Sequence, residues 1–165
     1  MPTRSVLLSA PPMGAIVAKV VFRDARSEDV AAVVAMLADD MLGKAREGSE
    51  LQIYLAAFDQ MQHEAGNTLI VGELDGQVVA CYQLTFISGL SLTATRRAQI
   101  EGVRVNPALR GQGIGEAMMA DAEARAVKAG CRLIQFTTNK ARDDAHRFYD
   151  RLGFTPSHIG YKKPL

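Results

Sequence analysis

Arg110-Gly111-Gln112-Gly113-Ile114-Gly115 lies between an apolar, β-like run, Ile100 to Val105, and an Ala-rich helical run, Gly113 to Ala129. The order of strand, glycine-rich turn and helix decides how the rest of the chain is read. Glycine lets the backbone approach a ligand closely, and the first N–H groups of a helix have no intrahelical partner. The turn is therefore a cradle for an anion, phosphate above all, with the positive end of the helix dipole behind it. A P-loop would need Gly-Lys-Ser/Thr at its end, and no Lys-Ser or Lys-Thr follows here. A dinucleotide fingerprint, G-x-G-x-x-G, is met only by Gly111 and Gly113, because position 116 is Glu116. A tight turn whose glycines serve only geometry stands beside these readings.

Working outward, Asn106-Pro107 stops the strand before the turn, and Gly130 caps the helix after it. Upstream, Thr68 to Leu74 and Gln77 to Phe86 flank Asp75-Gly76, a two-residue turn that closes an antiparallel hairpin. Val17 to Phe22 is β-rich. Ser27 with Glu28 and Asp29 reads as a helix cap, and Val30, Val33, Val34, Leu37 and Met41 follow helical spacing. Leu51, Tyr54, Leu55 and Phe58 repeat that spacing after a polar break. Downstream, Leu133 to Thr138 reads as a strand, Ala141 to Leu152 as a helix closing at Gly153, and Ser157 to Lys163 as a last strand. The order β-α-α-β-β-β-α-β-α-β predicts an α+β (mixed α/β) domain.

With 165 residues, 48% of them apolar, the chain suits one domain with a substantial core. That domain is expected over residues 18–165, with residues 1–17, broken by Pro11 and Pro12, as a loose N-terminal extension. Nineteen basic side chains against 18 acidic ones give no general electrostatic case for nucleic acid or an anionic membrane surface. No run approaches the roughly 20 apolar residues that cross a bilayer. Cys81 and Cys131 lack His or Cys partners at metal-binding spacing, so they read as buried thiols, no metal is expected, and a reducing, cytoplasmic location fits.

Val103-Arg104-Val105-Asn106-Pro107, followed by Arg110-x-x-Gly113-x-Gly115, resembles the acyl-CoA-binding motif of the GNAT superfamily of N-acyltransferases. Asn139 at a strand end, Asp144-Ala145-His146-Arg147-Phe148-Tyr149, and Leu152-Gly153-Phe154 resemble that family's closing helix and the strand after it. The likeness extends over about residues 18–165. It implies a central, twisted, mixed but mostly antiparallel sheet of six to seven strands flanked by about four helices. It implies an acetyl-CoA-dependent N-acetyltransferase, with acetyl-CoA as cosubstrate, acting on a primary amine of a small molecule by direct attack in a ternary complex. A protein N-terminus or lysine as acceptor, and a non-catalytic acyl-CoA sensor, are the alternatives. An exposed strand edge would allow a homodimer.

The resemblance assigns roles residue by residue. Backbone N–H groups of Gly111, Gln112, Gly113, Ile114 and Gly115 would hold the coenzyme pyrophosphate, with Arg110 adding charge. Backbone groups of Val103 and Val105 would face the pantetheine arm and the thioester oxygen. Asn139 suits the pantetheine amides, or else a helix N-cap. Phe148 and Tyr149 point about 100° apart on their helix, so one packs inward while the other reaches the cleft. Phe148 joins the coenzyme-binding set, and Tyr149 is the expected general acid for the leaving thiolate, since a phenol is protonated at neutral pH. Glu101 alternates with Val103 and Val105, which would place all three on one face, and is either the general base or a structural charge. Acceptor selection would fall to Asp39, Asp40, Glu47, Glu50, Tyr54, Gln83 and His158, although the acids equally suit solvated helix ends.

Overall fold

Asp75 and Gly76 both take positive φ, 48° and 78°, as a two-residue type I′ turn requires. The turn joins two long strands at the centre of a five-stranded sheet in this computed structural model, which describes residues 16, 19–39 and 50–165. In chain order the strands are β1 (Val21–Asp24), β2 (Asn67–Leu74), β3 (Gln77–Ile87), β4 (Arg97–Val105) and β5 (Leu133–Gln135). They are hydrogen-bonded in that same order, antiparallel except for the parallel pair β4–β5. The helices are α1 (Val30–Ala38), α2 (Leu51–His63), α3 (Ile114–Lys128) and α4 (Asp143–Arg151). The α+β class and the mixed, mostly antiparallel sheet agree with the sequence reading.

The central strands are buried on both sides. Ile70, Ala80, Tyr82, Leu84, Ala98 and Ile100 pack against Ile114, Met118, Met119, Ala122 and Ala126 of α3. On the opposite face Val71 and Cys81 meet Val33 and Met36 of α1. Successive residues such as Ile70 and Val71 are therefore both fully buried, which a strand allows because neighbouring side chains point to opposite faces. Burial pushes the Cys81 thiol up to about 12, so it is an inert core group.

Five expectations change. Ser27 does not cap the first helix: the Asp29 carboxylate accepts the Arg26 N–H at 2.8 Å in a capping box around a short 3-10 turn. The first strand starts at Val21, not Val17, and of the expected extension Ile16 packs against the main core. The strand expected over Leu133 to Thr138 ends at Gln135, because β4 and β5 part after three residue pairs. The segment Ser157 to Lys163 is irregular and exposed, since the short β5 offers no continuing ladder and Pro156 lacks a donor. Five strands, not six to seven, make the sheet of the described residues. The polar break at 43–49, the helix end at Met41, and Asp40 and Glu47 lie outside the described residues.

Asp29 is the one buried charged residue among those described, 5% exposed. Arg23 donates to both of its carboxylate oxygens, at 2.7 and 3.0 Å, and also to Glu73 at 2.8 Å. The Arg23 hydrogen bonds hold the Asp29 carboxyl below its usual range, against the opposing effect of burial. Asp29→Asn should cost about 1–3 kcal/mol at neutral pH, because the half-buried Arg23 guanidinium loses one of its two counter-charges while remaining partly solvated and paired with Glu73. A depressed folded pKa gives stability that is complete above the unfolded value of about 3.9 and is lost as pH falls through the folded value. Urea unfolding of the two proteins should therefore differ at pH 7 and converge below about pH 4. Equal stability at pH 7 would contradict this account.

Candidate active site

The site begins where two parallel strands separate. Arg97, Ala98 and Gln99 pair with Leu133, Ile134 and Gln135, and beyond them β4 runs on to Val105 paired only with β3, with no strand on its β5 side. A bulge in β4 is the local cause. Cys81 pairs with Arg104 and Gln83 with Glu101, so Tyr82 alone opposes both Gly102 and Val103. Gly102 has φ +60°, in the left-handed region that favours glycine. A bulge bends its strand and increases the local twist, which carries the end of β4 away from β5.

That bulge also changes a sequence expectation. Val103 and Val105 pack against the core under α3, whereas Glu101 lies in register with Gln83, and Arg104 with Cys81, on the α1 side. Glu101 therefore does not share a face with the two valines. The extra residue breaks the two-residue alternation on which that reading rested. Glu101 is exposed, and it still borders the opening between the strands.

The opening is a cleft of about 70 Å³. Residues 100–104 form one wall, residues 136–138 the other, and Arg142 and Tyr149 close it from the side of α4. The Tyr149 ring packs tilted against Phe136, 4.2 Å between centroids, and meets Phe148 and Phe154 edge-on. Burial raises the Tyr149 phenol above its usual value, and the charges of Arg142 and Arg104 pull it partly back. The group is thus held protonated at neutral pH, the state that a proton donor needs. Phe148 packs beside it, with its ring edge 3.1 Å from where a Cβ on Gly115 would lie.

The glycines divide their work. Gly111 and Gly113 take φ of +75° and +83°, and Gly113 is the N-cap of α3. A Cβ on Gly111 would meet nothing within 4 Å, so that side of the turn is open to a ligand. Gly115 instead serves the close approach of α3 to α4. Ile114 is fully buried in the core, so only its backbone faces the turn. Gln112 donates weakly to the Ala108 carbonyl at 3.4 Å. Beside the turn lies a larger groove of about 540 Å³, bordered by Arg110, Arg142, Arg147, Asp143 and Asp144. Arg147 pairs with Asp144 in the first turn of α4. The free N–H groups, the open glycine and this cationic border fit a polyanionic ligand such as the pyrophosphate of coenzyme A.

Asn139 is not among the cleft-bordering residues. Its Oδ1 accepts the Ala141 N–H at 2.9 Å and its carbonyl accepts from Arg142 N and His146 Nε2, so it builds the turn into α4. Arg142, Phe136 and Thr138 were not singled out from the sequence, yet all three line the cleft. On the acceptor side, Gln83 donates to Asn67 at 2.8 Å, while His158 sits on the exposed terminal segment beside Ser157.

A sheet opened between parallel strands, next to a glycine-rich helix start and a half-buried phenol, is the architecture of an acyl-transferring enzyme. Residues 15–154 match the Acetyltransferase (GNAT) family, and the chain belongs to that family of N-acetyltransferases. It is 44% identical to a transcriptional regulator of Bacillus halodurans, covering 88% of this chain and 99% of that one with a TM-score of 0.85. Over 67 residues it is 45% identical to an aminoalkylphosphonate N-acetyltransferase of Salmonella typhimurium. That match covers 41% of this chain and spans 44% of the relative's length. A Clostridium acetobutylicum structure solved with acetyl-CoA shares the fold, at 17% identity and a TM-score of 0.67 over 87% of this chain and 96% of that one. Acetyl-CoA is the donor that the family uses. No helix among the described residues is long and apolar enough to cross a membrane.

Proposed function

We propose that this chain transfers the acetyl group of acetyl-CoA to a primary amine of a small molecule, by direct attack in a ternary complex. The observation that carries the reading is Arg142, which borders both the strand cleft at Tyr149 and the groove that Arg110 borders beside the glycine turn. The turn holds the pyrophosphate through the backbone of residues 111–115 and Arg110. The free edge of β4, including Val103 and Val105, faces the pantetheine arm and the thioester oxygen. Glu101, at the rim of the cleft on the α1 side, takes the proton of the incoming ammonium directly or through a water. The amine nitrogen bonds to the thioester carbon, the C–S bond breaks, Tyr149 gives its proton to the leaving sulfur, and the second proton shed by the nitrogen restores the phenol through water.

The aminoalkylphosphonate relative supports a small amine over a protein N-terminus or lysine as acceptor. The Bacillus relative's name supports a second reading, an acyl-CoA sensor, which would keep the glycine turn and have no use for Tyr149 as an acid. Saturating acetyl-CoA should raise the melting temperature by roughly 5 °C or more, since a ligand at 100 times its Kd stabilises the fold by about 2.7 kcal/mol. An amine panel should then release free thiol. No thermal shift at millimolar acetyl-CoA would sink the coenzyme reading, and a shift without thiol release from any amine would favour the sensor.

A further inference from the structure

At the N-terminal end of β4, away from the glycine turn, cations gather around two exposed leucines. Arg97 opens the strand with Arg96 just before it, the Arg96 carbonyl accepts the Arg132 N–H at 2.9 Å, and Lys128 ends α3 shortly before Arg132. Arg96, Lys128 and Arg132 are exposed, and none of the four cations has an ion-pair partner among the described residues. Glu64, whose turn reaches Phe86 through Gly66, accepts from Asn67 instead. A net charge of +1 over the whole chain hides this local excess. In the connection from β3 to β4, Leu90 is 93% exposed and Leu92 69%. The turn that carries them is hydrogen-bonded: Leu90 and Ser91 carbonyls accept the N–H groups of Ala94 and Thr95 at 3.2 Å, and Thr95 Oγ1 donates to the Leu92 carbonyl. Its backbone takes positive φ at Leu92, Thr93 and Ala94, 53°, 58° and 57°, a conformation unfavourable to any L-residue and most of all to β-branched threonine. A strained backbone thus fixes apolar side chains in water, beside cations that no carboxylate neutralises.

We infer that this end docks the protein on an anionic phospholipid surface, with Leu90 and Leu92 entering the acyl boundary and Arg96, Arg97, Lys128 and Arg132 at the level of the phosphates. Apolar side chains in the boundary with cations over the headgroups is how a protein lies on a membrane without spanning it. Other partners use only part of the surface. A nucleic acid would pair with the cations and leave the leucines in water. A two-fold dimer through this end would set each cation cluster against its own copy. An acidic protein would need a groove that encloses a leucine 93% exposed, whereas a fluid bilayer takes a protruding side chain anywhere. The nine residues of β4, about 30 Å at about 3.3 Å each, separate this turn from the glycine turn, so the donor groove of a docked protein stays open to solution. The docking does not depend on acetyl transfer.

The chain has no tryptophan, so Leu90→Trp supplies a single fluorescent reporter. Its emission should move to the blue on phosphatidylcholine vesicles containing about one quarter phosphatidylglycerol, and stay unchanged on phosphatidylcholine alone. In co-sedimentation the parent should bind the mixed vesicles. The triple variant Arg96→Gln, Lys128→Gln, Arg132→Gln should bind them about 100-fold more weakly, since each cation near the surface is worth about fivefold. Leu90→Ser with Leu92→Asn should weaken binding about 10-fold, with asparagine chosen because it tolerates the left-handed backbone. All five positions are exposed, so melting temperature and the thermal shift with acetyl-CoA should match the parent. No binding of the parent to mixed vesicles, or equal binding by both variants, overturns the inference. A loss confined to the cation variant, with the leucine variant binding vesicles and random duplex DNA like the parent, also overturns it by showing a bare polyanion site. Vesicle binding by a parent that gives no thermal shift with acetyl-CoA would remove the donor reading and leave the docking surface standing.

Discussion

Tyr149→Phe is expected to lower kcat for amine-dependent thiol release about 100-fold or more, while acetyl-CoA still raises the melting temperature as it does in the parent. The ring is held by Phe136, Phe148 and Phe154, and phenylalanine preserves all three contacts, so fold and cleft shape survive the change. What disappears is the proton for the departing sulfur, and general acid catalysis contributes typically about 10²- to 10⁴-fold. The raised phenol pKa sharpens the expectation, because the parent should stay active well above neutral pH. Its alkaline limb should be missing in the variant, whose residual rate has no phenol to titrate. Parent-like thiol release from Tyr149→Phe would remove the tyrosine from the chemistry and leave it as a packing residue.

Glu101→Gln is expected to lower kcat/KM by about 10- to 100-fold at neutral pH, the lower part of the range for a positioned base because Glu101 stands at an exposed rim. The amide keeps the size of the side chain and loses its ability to take a proton. Most of an alkylamine is protonated at neutral pH, so the loss should shrink as pH rises toward the amine's own pKa, near that of lysine at about 10. A loss that is constant with pH would assign Glu101 to binding the ammonium. No loss would leave it as a surface charge, the other reading its sequence position allowed. Affinity for coenzyme A should not change in this variant, since Glu101 lies on the opposite face of β4 from Val103 and Val105.

The two carboxylate and phenol positions show how unevenly the site was legible. Helix geometry said only that one ring of the pair 148–149 would reach the cleft, and it was the family resemblance that assigned Tyr149 as the acid. Glu101 was placed on its strand, but its face was misread. A single extra residue at Gly102 and Val103 reverses every side chain on one side of it, and a glycine in a strand is only a weak sign of a bulge. Asn139 carried two readings, pantetheine binding and a helix cap, and its Oδ1 is spent on the turn into α4. Arg142 was invisible because it borders two spaces made by elements far apart in the chain.

The sequence by itself determined the Asp75-Gly76 hairpin, the glycine turn before α3, the order of helices and strands from β1 to α4, and the family. The hairpin, the turn and the element order rest on short-range physics: positive φ at two adjacent positions, unpaired N–H groups at a helix start, and apolar spacing along one element, while the family rests on the resemblance of residues 103–115 and 139–154 to known motifs. Only the tertiary structure decided where β5 leaves β4, which face Glu101 takes, that Gly115 is there for Phe148, and that residues 157–163 make no strand. Each of those depends on a partner distant in sequence. A strand needs a neighbouring ladder, a register needs its opposite strand, and a close approach needs the side chain that comes to meet it.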